Sequence, residues 1–213
     1  MDHKKITKLV QTAVFSAIII LLAFVPYIGY IKVPILAIQA TTVHIPVIVG
    51  SILLGPKYGA FLGFIFGCTS LINNTMQPGI TSFCFSPFIQ IAEGLGGSPL
   101  ALFVCFIPRI LCGVFPFYCY TFMQSHAKVP KKRKKFSLLL SGVVGSLTNT
   151  ILVMSMIYIF FGHAYAAARS IPYEAIFGVI LSVVFINGTI EAVVAAILSS
   201  TVCSALLTTK FFK

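Results

Sequence analysis

The feature that most constrains this chain is a pair of apolar segments, within residues 41–67, that are joined by almost no loop. The joint reads Gly55-Pro56-Lys57. Glycine favours the left-handed backbone that ends a helix, and proline favours the first turn of the next helix. Three glycines recur at every fourth position after the joint and form one smooth helix face: Gly59, Gly63 and Gly67. The pattern predicts a tight helical hairpin within a lipid bilayer, with Lys57 at the membrane surface.

The composition is also typical of a membrane protein. Of the 213 residues, 58% are hydrophobic and 9% are charged, and the mean hydropathy is +1.03. A soluble domain of this length needs far more charge to cover its surface. A spanning helix takes about 20 apolar residues, so six spans use most of the chain. We therefore predict a single all-α integral membrane domain over residues 1–213. Its six transmembrane helices are predicted near 7–29, 42–55, 57–74, 99–123, 137–161 and 174–208.

The basic residues predict how this bundle is oriented. Twelve of the 15 fall on one side if the spans alternate, including a run of six between residues 128 and 135. Lys32 and Arg169 fall on the other side, and Arg109 lies within a span. Because loops rich in lysine and arginine stay in the cytoplasm, both termini are predicted to be cytoplasmic. The net charge of +11 is thus explained by topology and the lipid bilayer, and we expect no nucleic-acid partner.

The longest predicted outer segment, residues 73–99, mixes glycine, proline and serine with apolar side chains such as Phe83, Phe85 and Phe88. A loop that is merely solvated needs no such side chains, and long loops in compact proteins often close over sites. We therefore predict a lid over an outward-facing cavity. The alternative is a short amphipathic helix that lies on the outer surface. The outer segment 27–40 is predicted to form an ordered hairpin or cap.

Two ionisable residues lie about halfway along predicted spans: Arg109 in the fourth and Glu191 in the sixth. A charge at that depth is costly unless it faces the protein interior and has a partner. Two interpretations are open. Arg109 and Glu191 neutralise each other as a structural pair, or Arg109 binds a substrate carboxylate with its planar fork of donors.

Polar residues on the same helices complete a candidate substrate site. Asn187 lies one turn before Glu191 and shares its face, and Asn149 lies on a polar face of the fifth span. Asparagine both donates and accepts hydrogen bonds, as a ligand rich in amides and hydroxyls requires. Asn73 and Asn74 at the end of the third span are further candidates. For each asparagine the alternative is a hydrogen bond between helices.

His44, at the outer end of the second span, is a candidate ligand contact, with a structural role as the alternative. Ala13 and Ala17 are one turn apart in the first span. Their methyl groups share a face on which another helix can approach closely.

Taken together, these motifs resemble the substrate-binding (S) components of energy-coupling-factor (ECF) vitamin transporters. In that family a block with a proline, a glycine and a closing L-G-P-x-x-G joins the second and third helices. The corresponding residues here are Pro46, Gly50, Leu54, Gly55, Pro56 and Gly59. The pair Pro108-Arg109 and the run Ile72-Asn73-Asn74-Thr75 are similar to the pantothenate-like branch.

The resemblance implies a six-helix bundle in the plasma membrane that binds a vitamin from outside. It implies assembly with a transmembrane coupling protein and two ATP-binding cassette ATPases, and contact of that coupling protein with Ala13 and Ala17. Pantothenate is the preferred ligand, because an anion would use Arg109. Folate, a thiamin precursor and riboflavin are the alternatives.

The sequence lacks the common catalytic signatures. It contains no G-x-x-x-x-G-K-[ST] loop, no H-E-x-x-H and no G-x-S-x-G. We predict no catalytic residues, no metal site and no cofactor. The alternatives from other classes are a small membrane enzyme, such as a lipid phosphatase, and a solitary secondary transporter. The first needs a carboxylate or histidine cluster at the interface, and the second usually needs more helices or an internal repeat.

Overall fold

The computed structural model describes residues 3–25, 29–33, 38–92, 95–125 and 131–209. This part of the chain is mainly helical. Its seven α-helices are α1 (His3–Phe24), α2 (His44–Leu54), α3 (Pro56–Met76), α4 (Leu100–Cys112), α5 (Phe115–Ser125), α6 (Lys131–Ala168) and α7 (Ile176–Leu206). They follow the six predicted spans in order, with α4 and α5 together in the place of the fourth.

Two short antiparallel hairpins lie in the connections between helices. β1 (Tyr30–Val33) pairs with β2 (Ile38–Thr41), with Tyr30 opposite Thr41. This pair confirms the hairpin predicted within 27–40, although residues 26–28 and 34–37 lie outside the described residues. β3 (Gln90–Ala92) pairs with β4 (Leu95–Gly96) in the long segment before α4. The bundle is all-α as predicted, but the connections between helices also contain these two short hairpins, which the all-α prediction did not include.

Several helices have the length and composition of membrane spans. In the described residues there are four such stretches: His3–Phe24, Leu100–Ser125, Lys134–Ala168 and Tyr173–Leu206. α2 is apolar but has only 11 residues. It is therefore about 16 Å long, roughly half the thickness of the hydrocarbon core. The chain is a multi-pass membrane protein, while the count of six crossings and the cytoplasmic side of the termini stay predictions.

The α2–α3 hairpin forms as the sequence predicts. Gly55 has φ of +104°, which favours glycine, and Pro56 is in the first turn of α3. A Cβ atom added to Gly63 would collide with the main chain of Arg109. A Cβ atom at Gly67 would lie 2.6 Å from the ring of Phe106. The glycine face of α3 thus brings α4 close, which confirms the predicted helix contact.

The predicted fourth span is interrupted at Gly113 and Val114, where α4 ends before α5 begins. At the same level, Gly59 and Gly113 are so close that a Cβ atom on either would collide with the other's carbonyl oxygen. The break is absent from the hydropathy pattern because the apolar run continues through it.

The core is organised around α2, whose residues are almost all buried. One buried cluster joins α2 to α1 and α3 and includes Ile19, Ile48 and Phe66. A second joins α4, α6 and the start of α7 to the loop that follows α3, and includes Phe83 and Tyr165. The long helices α6 and α7 pack along each other. This arrangement leaves a cavity lined mainly by α6, α7 and the loop after α3, with smaller contributions from α3 and from Arg109 of α4.

Candidate functional site

The candidate site is a cavity of about 1170 Å³. Its walls come mainly from α6, α7 and the loop after α3, with contributions from α3, from Arg109 of α4, from the end of α1 and from β2. Six of the seven predicted ligand contacts line it: Asn73, Asn74, Arg109, Asn149, Asn187 and Glu191. The packing of the helices thus brings residues from four distant parts of the sequence to one cavity.

Arg109 lies deep in this cavity, with 7% of its surface exposed. Its Nη1 donates a hydrogen bond to the main-chain oxygen of Val104 at 2.8 Å, and its Nη2 donates to Ser70 Oγ at 3.4 Å. The Nε–H has no hydrogen-bond partner among the described residues. A buried guanidinium therefore retains donor capacity beside the cavity.

Two aromatic rings fix the position of this guanidinium. Its Cζ atom lies 5.5 Å from the centre of the Phe66 ring and 5.1 Å from that of Phe85. Both distances suit a cation–π interaction. Phe66 is on α3 and Phe85 is in the loop after α3. The Arg109 guanidinium therefore connects α4 to both of these elements.

Glu191 is also buried, with 6% of its surface exposed, and both of its carboxylate oxygens are engaged. Oε1 accepts a hydrogen bond from the Thr41 main-chain N–H at 2.7 Å, and Oε2 accepts one from Thr150 Oγ1 at 3.1 Å. In the described part of the chain, Arg109 and Glu191 form no salt bridge. The two charges therefore line one cavity without direct pairing.

The asparagines differ in how much of their hydrogen-bonding capacity is used. Asn149 is 5% exposed, and its Oδ1 has no partner among the described residues. Asn187 and Asn73 are half-buried in the cavity wall. Asn74 is already engaged, because its Nδ2 donates to the Ser70 carbonyl at 2.9 Å and its Oδ1 accepts from Ser82 Oγ at 2.9 Å.

The Ser82 hydroxyl connects Asn74 to the loop that follows α3. Ser82 Oγ also accepts a hydrogen bond from the Gly79 main-chain N–H at 2.9 Å. Thr75 Oγ1 and Ser86 Oγ lie 2.7 Å apart and form a second link. The end of α3 thus holds residues 77–86 against the cavity, where several of them form its wall.

The predicted lid residues have different environments within this loop. Phe83 is fully buried and contacts the Phe161 ring edge-on, with 5.9 Å between ring centres. Phe85 lines the cavity, whereas Phe88 is 75% exposed. The described loop contains a three-residue 3-10 helix, Ser82–Cys84, and the β3–β4 hairpin. These elements take the place of the amphipathic helix considered as the alternative.

His44 is the predicted ligand contact that the structure does not bring to the cavity. It begins α2, is 1% exposed and is absent from the cavity wall. Its Nδ1 lies 3.4 Å from Thr41 Oγ1, and its Nε2 has no partner within the described residues. The ring is enclosed because α2 occupies the centre of the core.

Ala13 and Ala17 lie on the exposed face of α1. The buried face of the same helix carries Thr12, Phe15 and Ile19. The two alanines therefore present their methyl groups away from the bundle, on a surface where another helix could dock.

The cavity residues that sequence reasoning did not identify include Ser70, Thr150 and Arg169. Ser70 lies one turn before Asn74, and Thr150 directly follows Asn149. Serine and threonine are common within membrane helices, where they bond to their own helix backbone, so these two gave little signal. For Arg169 the sequence indicates only a position on the predicted outer side.

Comparison with known proteins gives consistent matches over nearly the full chain. A family model described as "ECF transporter, substrate-specific component" matches residues 7–203. The pantothenic acid transporter PanT of Lactococcus lactis subsp. cremoris is 35% identical over 207 residues, which cover 97% of this chain and 96% of that protein. The pantothenate transporter PanT of Leuconostoc mesenteroides subsp. mesenteroides is 30% identical over 212 residues, which cover 97% and 95%.

Proposed function

Because the chain belongs to the substrate-specific components of ECF transporters, we propose that it binds pantothenate for uptake across the plasma membrane. Family membership makes the protein a transport subunit and not an enzyme, and it also argues against a solitary secondary transporter. The choice of ligand is supported by two relatives that are named for pantothenate and aligned along nearly their whole length.

The observation that supports this ligand most strongly is the state of Arg109. Its buried guanidinium has an unpartnered Nε–H and no carboxylate partner among the described residues. Pantothenate carries one carboxylate, which is the group that a planar arginine fork binds best. A ligand carboxylate at this position would supply the counter-charge that a buried cation requires.

The remaining cavity wall suits the rest of the molecule. Pantothenate has two hydroxyls, an amide and a dimethyl group. Asn149 Oδ1 is an unused acceptor, and Asn187, Asn73 and the Glu191 carboxylate provide further polar atoms. The apolar part of the wall includes Val153, Met154 and Ile157. Asn74 acts in this proposal by holding the loop after α3.

The predicted topology fits uptake through a larger complex. We place both termini in the cytoplasm and the open end of the cavity outside. Ala13 and Ala17 form the contact with the transmembrane coupling protein, which in turn joins two ABC ATPases. Support for this assembly comes from family membership and from the exposure of both alanines on α1.

A calorimetric ligand screen of the purified protein tests the proposal. We expect saturable, one-to-one binding of pantothenate, and no heat of binding with folate, riboflavin or thiamin precursors. Binding of one of those vitamins without pantothenate would contradict the ligand. Co-purification from cells tests the assembly separately, since coupling protein and both ATPases should be recovered with the tagged chain.

A further inference from the structure

A second cation, Arg169, lies in the wall of the same cavity as Arg109. It directly follows the last residue of α6 and is exposed, unlike the deeply buried Arg109. The exposed residues 77–80 and Ser170 line the cavity with it. We call this exposed end, formed by residues 77–80 and 169–170, the cavity mouth.

The side chain of Arg169 is held at the mouth by an aromatic surface. Its Cζ atom lies 5.0 Å from the centre of the Tyr165 ring, and Tyr165 is itself only 2% exposed. A cation–π contact with a ring uses none of the N–H groups of the guanidinium, so they can still donate hydrogen bonds to an anion. Among the described residues, no hydrogen bond or ion pair engages this side chain.

The two cations of the cavity therefore lie at different depths. Arg169 is at the mouth, Arg109 is deep, and the Glu191 carboxylate is engaged by Thr41 and Thr150. The two guanidinium groups outnumber the one carboxylate, so the wall has a net positive charge that attracts anionic ligands and raises their association rate. An exposed cation acts mainly on that rate, whereas a desolvated one determines how tightly the ligand is held.

We propose that Arg169 is the entry site for the anionic ligand, which meets this residue at the mouth before its carboxylate moves to Arg109. This inference rests on the proposed function, because it concerns how pantothenate reaches the cavity. It assigns association to Arg169 and retention to Arg109.

Association kinetics in neutral detergent provide the test. The chain has eight tyrosines and no tryptophan, so stopped-flow tyrosine emission can report binding next to Tyr165. At low salt, Arg169→Gln should slow pantothenate association about two- to fivefold and leave dissociation unchanged, as expected for one screened charge. The matched variant Arg169→Lys keeps the charge and should associate like the wild type. The difference should disappear at high salt.

The neutral analogue pantothenol and the wild-type protein supply independent controls. Pantothenol should bind at the same rate to all three proteins, and the wild-type rate for pantothenate should fall as salt rises. An unchanged pantothenate rate in Arg169→Gln would overturn the entry site, as would equal slowing by Arg169→Lys. If the wild type does not bind pantothenate at all, the proposed function fails and this entry route fails with it.

Discussion

Arg109 donates a hydrogen bond from Nη1 to the main-chain oxygen of Val104, five residues earlier, at 2.8 Å. In a regular helix that oxygen accepts the N–H of residue 108, but residue 108 is a proline and has no N–H. The Arg109 guanidinium therefore supplies the hydrogen bond that Pro108 cannot donate to the Val104 carbonyl. This relationship holds the charge beside the cavity and explains why a proline inside α4 can serve the site.

The first prediction concerns Pro108. Alanine restores the missing N–H, which should bond to Val104 and displace the guanidinium. We expect Pro108→Ala to melt at or above the wild-type temperature, since proline disfavours helix interiors. Pantothenate affinity should nevertheless fall by about fivefold, because a hydrogen bond that orients the charge is worth about 1 kcal/mol. A stable variant with unchanged affinity would show that the bond to Val104 does not position Arg109.

The second prediction concerns the two buried charges, which line one cavity but form no salt bridge within the described residues. Glu191→Gln should destabilise the fold through weaker bonds to Thr41 and Thr150, and Arg109→Gln should mainly weaken binding. The two changes should then be additive in melting experiments, within about 0.5 kcal/mol. Recovery of most of the lost stability in the double variant would instead identify a structural ion pair.

The third prediction concerns the exposed alanines of α1. Leucine at Ala13 or Ala17 should abolish pantothenate uptake in cells, because the added bulk separates helices that must pack closely. Binding by the isolated protein should be unchanged, since neither residue lines the cavity. Ala205→Leu is a matched control, because Ala205 is similarly exposed but lies on α7. Normal uptake with leucine at Ala13 and with leucine at Ala17 would rule out this docking face.

The fourth prediction concerns the loop after α3. Phe85 lines the cavity with its ring 5.1 Å from Arg109 Cζ, whereas Phe88 is 75% exposed. Phe85→Ala should weaken pantothenate binding about tenfold, which corresponds to a desolvated cation–π contact. Phe88→Ala should have no effect on affinity.

The same loop should also respond to the ligand. Bound pantothenate should slow hydrogen exchange of peptides from 76–97, and equal exchange with and without ligand would contradict a lid.

The sequence predicts those parts of the protein that depend on short-range pattern. The glycine face at Gly59, Gly63 and Gly67 follows from spacing alone, and α4 packs against it as expected. Helix periodicity likewise places Asn187 and Glu191 on one face, and the structure places both in the cavity wall.

Long-range contacts could not be predicted in this way. The hydrogen bond between Thr41 and Glu191 joins residues 150 positions apart, so no local signal indicates it. The enclosure of His44 depends on α2 lying at the centre of the bundle, which spacing does not reveal. The sequence makes Asn74 and Asn73 equivalent candidates, but in the folded loop Ser82 donates a hydrogen bond to the amide oxygen of Asn74 and occupies it.

The most direct test of the account compares pantothenate with its neutral alcohol analogue, pantothenol, on Arg109→Gln by titration calorimetry. Loss of a desolvated, charged hydrogen bond costs about 2–5 kcal/mol, so pantothenate affinity should fall at least tenfold. Affinity for pantothenol should barely change, because it has no carboxylate for Arg109 to bind. A well-folded Arg109→Gln protein with unchanged pantothenate affinity would contradict the central claim and remove Arg109 from the site.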